Sequence, residues 1–174
     1  MINLLHRMNQ FEIPICLFFN RINHRKLLSQ FFSLISRLGD GIFWYSIMLL
    51  LPLIYGIEGV TVALHMVAVG GIGVLIYKWM KVSTQRIRPY SFHNDIIKSV
   101  AALDKFSFPS GHTLHAVGFS VVLLAYYPEW SILVIPFAFL VAVSRLVLGL
   151  HYPSDVLIGA LIGIVLSVTS LFLI

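Results

Sequence analysis

Apolar residues in this chain come in long runs rather than in alternating or short amphipathic patches. Gly41–Ile57, Gly59–Tyr77, Thr113–Pro128, Trp130–Ser144 and Val156–Ile174 carry almost no ionisable groups, His65 and His115 being the exceptions. A spanning helix needs about 20 mainly apolar residues, with about 17 as the short limit. Two of the runs meet that length, one sits at its lower bound and two reach it with flanking residues. The N-terminal part differs. Leu27, Leu28, Phe31, Phe32, Leu34, Ile35 and Leu38 recur near helical spacing, with charged residues and Ser between them. Such a segment is expected in the headgroup region rather than across it. The pattern therefore predicts an all-α fold, a polytopic membrane helical bundle with about five transmembrane helices. It forms a single membrane-embedded domain over residues 1–174. Residues 1–40 make an N-terminal interfacial helical segment and residues 41–174 make the bundle.

Composition agrees. The chain is 59% hydrophobic and only 11% charged, where soluble domains carry roughly 25% charged residues. Met1–Gln10 lack a sustained apolar stretch and a small-residue cleavage site, so no cleavable signal peptide is expected. Cys16 is the only cysteine, which excludes an internal disulfide. The net charge of +5 suits anionic headgroups or a phosphorylated substrate. Nucleic acid is a poor partner, since no soluble binding domain backs the basic groups. No obligate protein partner is evident.

The predicted elements have a sidedness. A first hairpin joins at Glu58 and Gly59, a long polar loop covers about Val82–Phe108, and a second hairpin turns at Tyr127–Trp130. Counting crossings puts the N-terminal segment, the long loop and the Leu148–Asp155 turn on one membrane face. Glu58 and Glu129 are the only charges left for the other.

Three constellations fall on the charged face. In residues 81–89, Lys81 and Arg88 lie two helical turns apart, so a continuing helix would set both on one side, and Pro89 marks the exit into the loop. Two cations aimed at one place suit a phosphate, although basic residues at a membrane edge commonly snorkel to headgroups. In residues 109–112, Ser110 and Gly111 open a helix whose N-terminus could receive an anion, with His112 at its mouth. The commoner use of Ser there is an N-cap. In residues 144–155, Arg145 ends an apolar run, and a membrane-embedded cation is by default a functional candidate. His151 and Asp155 flank Tyr152-Pro153-Ser154. A carboxylate beside one imidazole nitrogen sets the tautomer and raises the basicity of the other, yet a His–Asp pair can also merely cap a helix. His65 and His115 read as packed or hydrogen-bonded histidines. Gly70, Gly71, Gly73, Gly159 and Gly163 read as sites of close helix packing, and Trp44, Trp79 and Trp130 as interfacial anchors.

Taken together, Lys81-x6-Arg88-Pro89, Pro109-Ser110-Gly111-His112 and Ser144-Arg145-x5-His151-x3-Asp155 match, in order and spacing, the three-part signature of the type 2 phosphatidic acid phosphatase (PAP2) superfamily. The chain resembles that family over Lys81–Asp155, and through its helical framework over about Gly41–Ile174. The resemblance implies a phosphatase without a metal or other cofactor. His151 would be the nucleophile that forms a phosphohistidine, Asp155 would orient it and His112 would be the general acid. Lys81, Arg88, Ser110, Gly111 and Arg145 would hold the phosphoryl oxygens. No carboxylate cluster suited to Mg²⁺ is visible in the sequence. Bacterial membrane members act on phosphatidic acid, phosphatidylglycerophosphate, undecaprenyl diphosphate or lipid A phosphates, so a phosphorylated lipid in the bilayer is the expected partner.

Many members have six spans; here the basic N-terminal segment stands where the first would be. The resemblance implies a bacterial inner membrane with the site facing outward, the periplasmic side. The Lys and Arg count alone favours the opposite orientation. An enzyme for soluble phosphoesters, or a haloperoxidase-like one, would use the same oxyanion site. A silent lipid-binding or transport protein would be expected to have lost His112, His151 or Asp155, and all three are present.

Overall fold

The computed structural model describes residues 2–173; Met1 and Ile174, which end the predicted segments, lie outside the described residues. Among the described residues every regular element is helical. In chain order these are α1 (Ile2–Asn20), a 3-10 turn (Arg21–His24), α2 (Lys26–Arg37), a π-type turn (Leu38–Ile42), α3 (Phe43–Thr84), the short α4 (Pro89–Phe92), α5 (Gly111–Tyr126), a second 3-10 turn (Pro128–Trp130), α6 (Ser131–Val147) and α7 (Pro153–Leu171).

Helix α3 is a hairpin. Gly56 has φ 62° and ψ −135°, a conformation that costs glycine little and other residues much. The reversal is so tight that a Cβ on Gly59 would stand 2.1 Å from the Leu51 carbonyl oxygen. The predicted joint at Glu58 and Gly59 is thus centred slightly earlier. Three stretches are long and apolar enough to cross a bilayer: Lys26–Phe92, which contains this reversal, Pro128–Val147 and Pro153–Leu171. Helix α5 is apolar but shorter. The described residues thus form an all-α bundle with several long apolar helices, as the sequence predicts.

Helix α5 is the axis, packed against α7, α3 and α6. Lipid is as apolar as leucine, so helices associate here through close packing and interhelical hydrogen bonds. Both are present. A Cβ on Gly159 would lie 2.5 Å from the Ser110 oxygen, and one on Gly163 2.5 Å from the Leu114 oxygen. Ser167 donates to the Gly118 carbonyl at 2.9 Å. His65 hydrogen-bonds Tyr126 (3.1 Å) and Ser170 (2.8 Å), joining α3, α5 and α7. His115 of α5 reaches the Gly70 carbonyl of α3 at 3.1 Å. Each such interhelical bond contributes about 0.6 kcal/mol.

Large apolar side chains such as Leu53, Leu75, Ile132, Phe139 and Leu157 face outward, as a lipid-facing surface requires. Helices α1 and α2 follow the same inverted logic. Phe11, Phe18, Leu27 and Leu34 are exposed, while Asn9, Glu12, Asn20 and Ser36 are buried.

Two expectations are corrected. Trp44 is 1% exposed and packs on Phe119 and Phe137; being four helix positions past the turn at Asp40, it belongs to the core rather than the interface. Gly71 has open space where a side chain would go, so it does not mediate helix packing.

Gly163→Ala should lower stability by about 1–3 kcal/mol, because the obstructing atoms are backbone and cannot swing aside. Thermal unfolding in detergent checks this; an unchanged Tm would mean that α7 does not approach α5 so closely.

Candidate active site

The polar face of the bundle closes around a cavity of about 400 Å³. Lys81, Arg88, Gly111, His112, Arg145 and His151 line its charged end, and Trp44, Met48, Val67, Val74 and Phe119 continue it between α5 and the two halves of α3. Residues far apart in sequence meet because three chain features bring them there. Helix α3 ends at Thr84, with Gln85 left-handed at φ 48°. Helix α5 begins at Gly111. The turn from α6 to α7 passes through Gly149 at φ 69°. Ser110 N–H donates to the Asp155 carbonyl at 3.0 Å, which ties the start of α5 to the start of α7.

Lys81 and Arg88 converge, but not by the helical periodicity expected of them. The helix stops between them, and the returning loop brings Asp104 to both. Lys81 Nζ donates to Asp104 Oδ1 at 2.9 Å and to the Phe106 carbonyl at 2.9 Å. Arg88 Nη2 donates to the same Asp104 oxygen at 2.8 Å. One carboxylate oxygen is thus shared by two buried cations. Arg145 enters from α6, buried, with Nη1 donating to Ser36 of α2; its Nε has no partner among the described residues.

His151 stands beneath these cations and is 2% exposed. Arg88 Nη1 lies 3.3 Å from its Nε2 and 2.8 Å from the Leu150 carbonyl. A guanidinium can only donate, so the lone pair of the imidazole is on Nε2 and the hydrogen on Nδ1. Nδ1 is 3.5 Å from Asp155 Oδ2, too long to satisfy it as a hydrogen bond. Burial, and then the charges of Arg88, Arg145 and Lys81, push the His151 pKa well below its ordinary value. The imidazole is therefore neutral, with its Nε2 electron pair turned towards Arg88 at the cationic end of the cavity.

His112 hydrogen-bonds Asp40 through Nε2. Ser110 does not line the cavity. It is fully buried; its hydroxyl caps α5 through Thr113 N–H at 3.4 Å and meets Thr113 Oγ1 at 3.0 Å. The ordinary N-cap reading thus accounts for the Ser110 side chain, and Gly111 and His112 are what the helix tip presents to the cavity. Asp155 also lies behind the wall, 0% exposed, with Oδ2 accepting from Tyr152 N–H at 2.9 Å. Pro153 occupies the first turn of α7, as read from the sequence.

Five participants escaped the sequence reading: Glu12, Ser36, Asp40, Arg86 and Asp104. Scarcity was the available signal. The chain has seven acidic residues, and Glu12, Asp40, Asp104 and Asp155 all pair with basic or imidazole groups at this one end. Among the described residues no group of three His, Cys, Asp or Glu side chains is arranged to hold a metal ion.

The chain is similar in sequence and fold to known proteins. The family model described as PAP2 superfamily matches residues 59–173. The chain is 30% identical over 150 residues to an undecaprenyl-diphosphatase of Sulfolobus acidocaldarius, covering 83% of this chain and 71% of that protein. It is 36% identical over 85 residues to a lipid A 4'-phosphatase of Bacteroides thetaiotaomicron, covering 45% of this chain and 38% of that protein. Its fold superimposes on the transmembrane PAP2-type phosphatidylglycerolphosphate phosphatase of Bacillus subtilis with TM-score 0.76 and 26% identity, covering 94% of this chain and 84% of that one. The corresponding values for Aquifex aeolicus LpxE are 0.75 and 26%, with 88% and 92% covered. The family model covers well over half of the chain, and the chain belongs to the PAP2 superfamily.

Proposed function

We propose that the protein hydrolyses the phosphate or diphosphate of a membrane lipid through a phosphohistidine formed on His151. The observation that carries this reading is the contact from Arg88 to His151 Nε2, which leaves the nucleophilic lone pair beneath the cations that would grip a phosphoryl group. Asp155, on the Nδ1 side, keeps this tautomer and stabilises the charge that develops on the ring. Lys81, Arg88, Arg145 and the amides at Gly111 and His112 meet the phosphoryl oxygens, and the fixed charges need no rearrangement as the transition state forms. Phosphate entering the site takes the place Asp104 holds between Lys81 and Arg88.

The chemistry balances in two steps. His151 Nε2 attacks phosphorus as the ester or anhydride P–O bond breaks, and His112 gives its proton to the departing lipid oxygen. Water then attacks phosphorus, the P–N bond breaks, and His112 accepts the water's proton. The products are inorganic phosphate and a lipid alcohol or lipid monophosphate. The apolar extension of the cavity suits the lipid portion. Phosphatidic acid, phosphatidylglycerophosphate, undecaprenyl diphosphate and lipid A phosphates are the candidate substrates. The similarity to the Sulfolobus undecaprenyl-diphosphatase, which extends over most of this chain, supports including a prenyl diphosphate. A bacterial inner membrane with an outward-facing site is part of the same proposal.

His151→Ala should fold normally and lose turnover by about a thousandfold or more. Phosphate release measured over lipid monophosphates and prenyl diphosphates in detergent tests this, and wild-type release by the variant would refute the assignment. The same panel should be indifferent to chelator; activity lost to chelator and restored by Mg²⁺ would count against the mechanism. Because its pKa is pushed down from the ordinary 6.5, His151 should stay neutral as pH falls through 6.5. Nitrogen-15 NMR reads this directly, and a protonation midpoint at or above that value would contradict the tautomer argument. Arg145→Lys should cut kcat/KM, since a point charge cannot replace a planar fork; near-normal kinetics would leave Arg145 only a helix anchor.

A further inference from the structure

Behind Asp155 lies a second ionic cluster that faces away from the cavity. At its centre is Arg86, which sits between Lys81 and Arg88 in sequence but points the other way. Its side chain is fully buried, and every guanidinium nitrogen is engaged. Nε donates to Asn9 at 2.9 Å, Nη2 to Glu12 at 2.9 Å, and Nη1 to Ser154 at 2.6 Å and to Asp155 Oδ1 at 2.7 Å. The guanidinium also lies 4.0 Å from the Tyr152 ring centre. Glu12 closes the circuit by accepting from Ser154 N–H at 2.9 Å and from the Ser154 hydroxyl at 2.8 Å.

We infer that Arg86, held by Glu12 of α1, is a positioning residue for the Asp155–His151 pair; the inference rests on the proposed role of His151 as nucleophile. Rotation about the Cβ–Cγ bond of Asp155 would turn its oxygen away from the imidazole. Arg86 takes Oδ1 and the Tyr152 amide takes Oδ2, so that torsion is fixed and Oδ2 faces Nδ1. Glu12 does two things. It locks the guanidinium from its other edge, so the Nη1 corner stays on Asp155. It also shares the positive charge. An unshared guanidinium would draw off the electron density by which Asp155 attracts the Nδ1 hydrogen.

Mere fastening of α1 to the bundle is a weaker explanation. A buried ion-pair cluster loses much of its attraction to desolvation, and apolar residues of similar volume usually do as well. Helix α1 has a separate anchor as well, since Asn20 bonds the Ile97 carbonyl at 2.9 Å and the Val147 carbonyl at 2.8 Å. The cluster thus makes residues ahead of the family-matched region, Asn9 and Glu12, part of the catalytic assembly.

The test uses the purified full chain in detergent with a short-chain phosphatidic acid as the probe, comparing Arg86→Lys, Glu12→Gln and His151→Ala with the wild type. A lysine cannot serve four acceptors at once, so kcat of folded Arg86→Lys should fall about ten- to a hundredfold. Its KM should stay within about twofold, because Arg86 does not touch the phosphate. Glu12→Gln should lose kcat in the same sense and by less. If Arg86→Lys proves unfolded, Glu12→Gln decides: reduced kcat at unchanged KM upholds the inference, and wild-type kcat overturns it. A lowered Tm with unchanged kcat in either folded variant also overturns it, since that is what simple fastening would give. A rise in KM alone overturns it by making Arg86 a substrate contact. His151→Ala separates the levels. If it is inactive while folded Arg86→Lys matches the wild type, only the positioning role fails; if it is active, the nucleophile assignment beneath has failed.

Discussion

Cations buried at the edge of a bilayer must be balanced, and this balance shapes the whole polar end of the molecule. Lys81, Arg86, Arg88 and Arg145 are all buried there. Three of them are answered by carboxylates from different parts of the chain, Glu12 from α1, Asp104 from the long loop and Asp155 from α7, while Arg145 is held by the Ser36 hydroxyl. Asp40, from the turn before α3, takes His112. The pairs differ in kind. Arg86–Asp155 is sealed on both sides, whereas Asp104 is partly exposed and bridges the two cations that open onto the cavity. The first is built to stay. In the proposed mechanism the second yields its place to a phosphate, which offers more oxygens and more charge to the same donors.

The bundle beneath serves that arrangement by being rigid without a hydrophobic driving force. Glycines on α7 let it approach the first turns of α5, and the same contact brings Ser110 against the Asp155 carbonyl. Helix packing and catalytic geometry are therefore one interaction at that point. Moving α7 outward by the width of a methyl group would also move His151 and Asp155 relative to the tip of α5.

Much of this was legible in the sequence, for identifiable reasons. Long apolar runs separate membrane helices from other elements almost by length alone, which is why the two hairpins and the final helix were readable. The constellations around Lys81, His112 and His151 were readable because each has its own spacing. What the sequence hid depends on the third dimension. The convergence of Lys81 and Arg88 arises from a left-handed residue at Gln85 and a returning loop, not from helix phase. Trp44 lies at the end of an apolar run, and only the folded chain brings Phe119 and Phe137 around it. Asp40 and Glu12 carried no local pattern; each acquires its meaning only from a partner more than seventy residues away. Ser110 shows the reverse case, in which the ordinary capping role suffices for a side chain that also lies in a signature motif.

The account turns on whether the phosphoryl group passes through His151. The most direct measurement is a single-turnover reaction with a lipid phosphate, quenched at alkaline pH, where a phosphorus–nitrogen bond survives, and analysed by mass spectrometry of the fragments. The account predicts a phosphoryl adduct on His151 that appears and decays within the turnover. Rapid phosphate release with no adduct at any time point, or an adduct on a different residue, would contradict it.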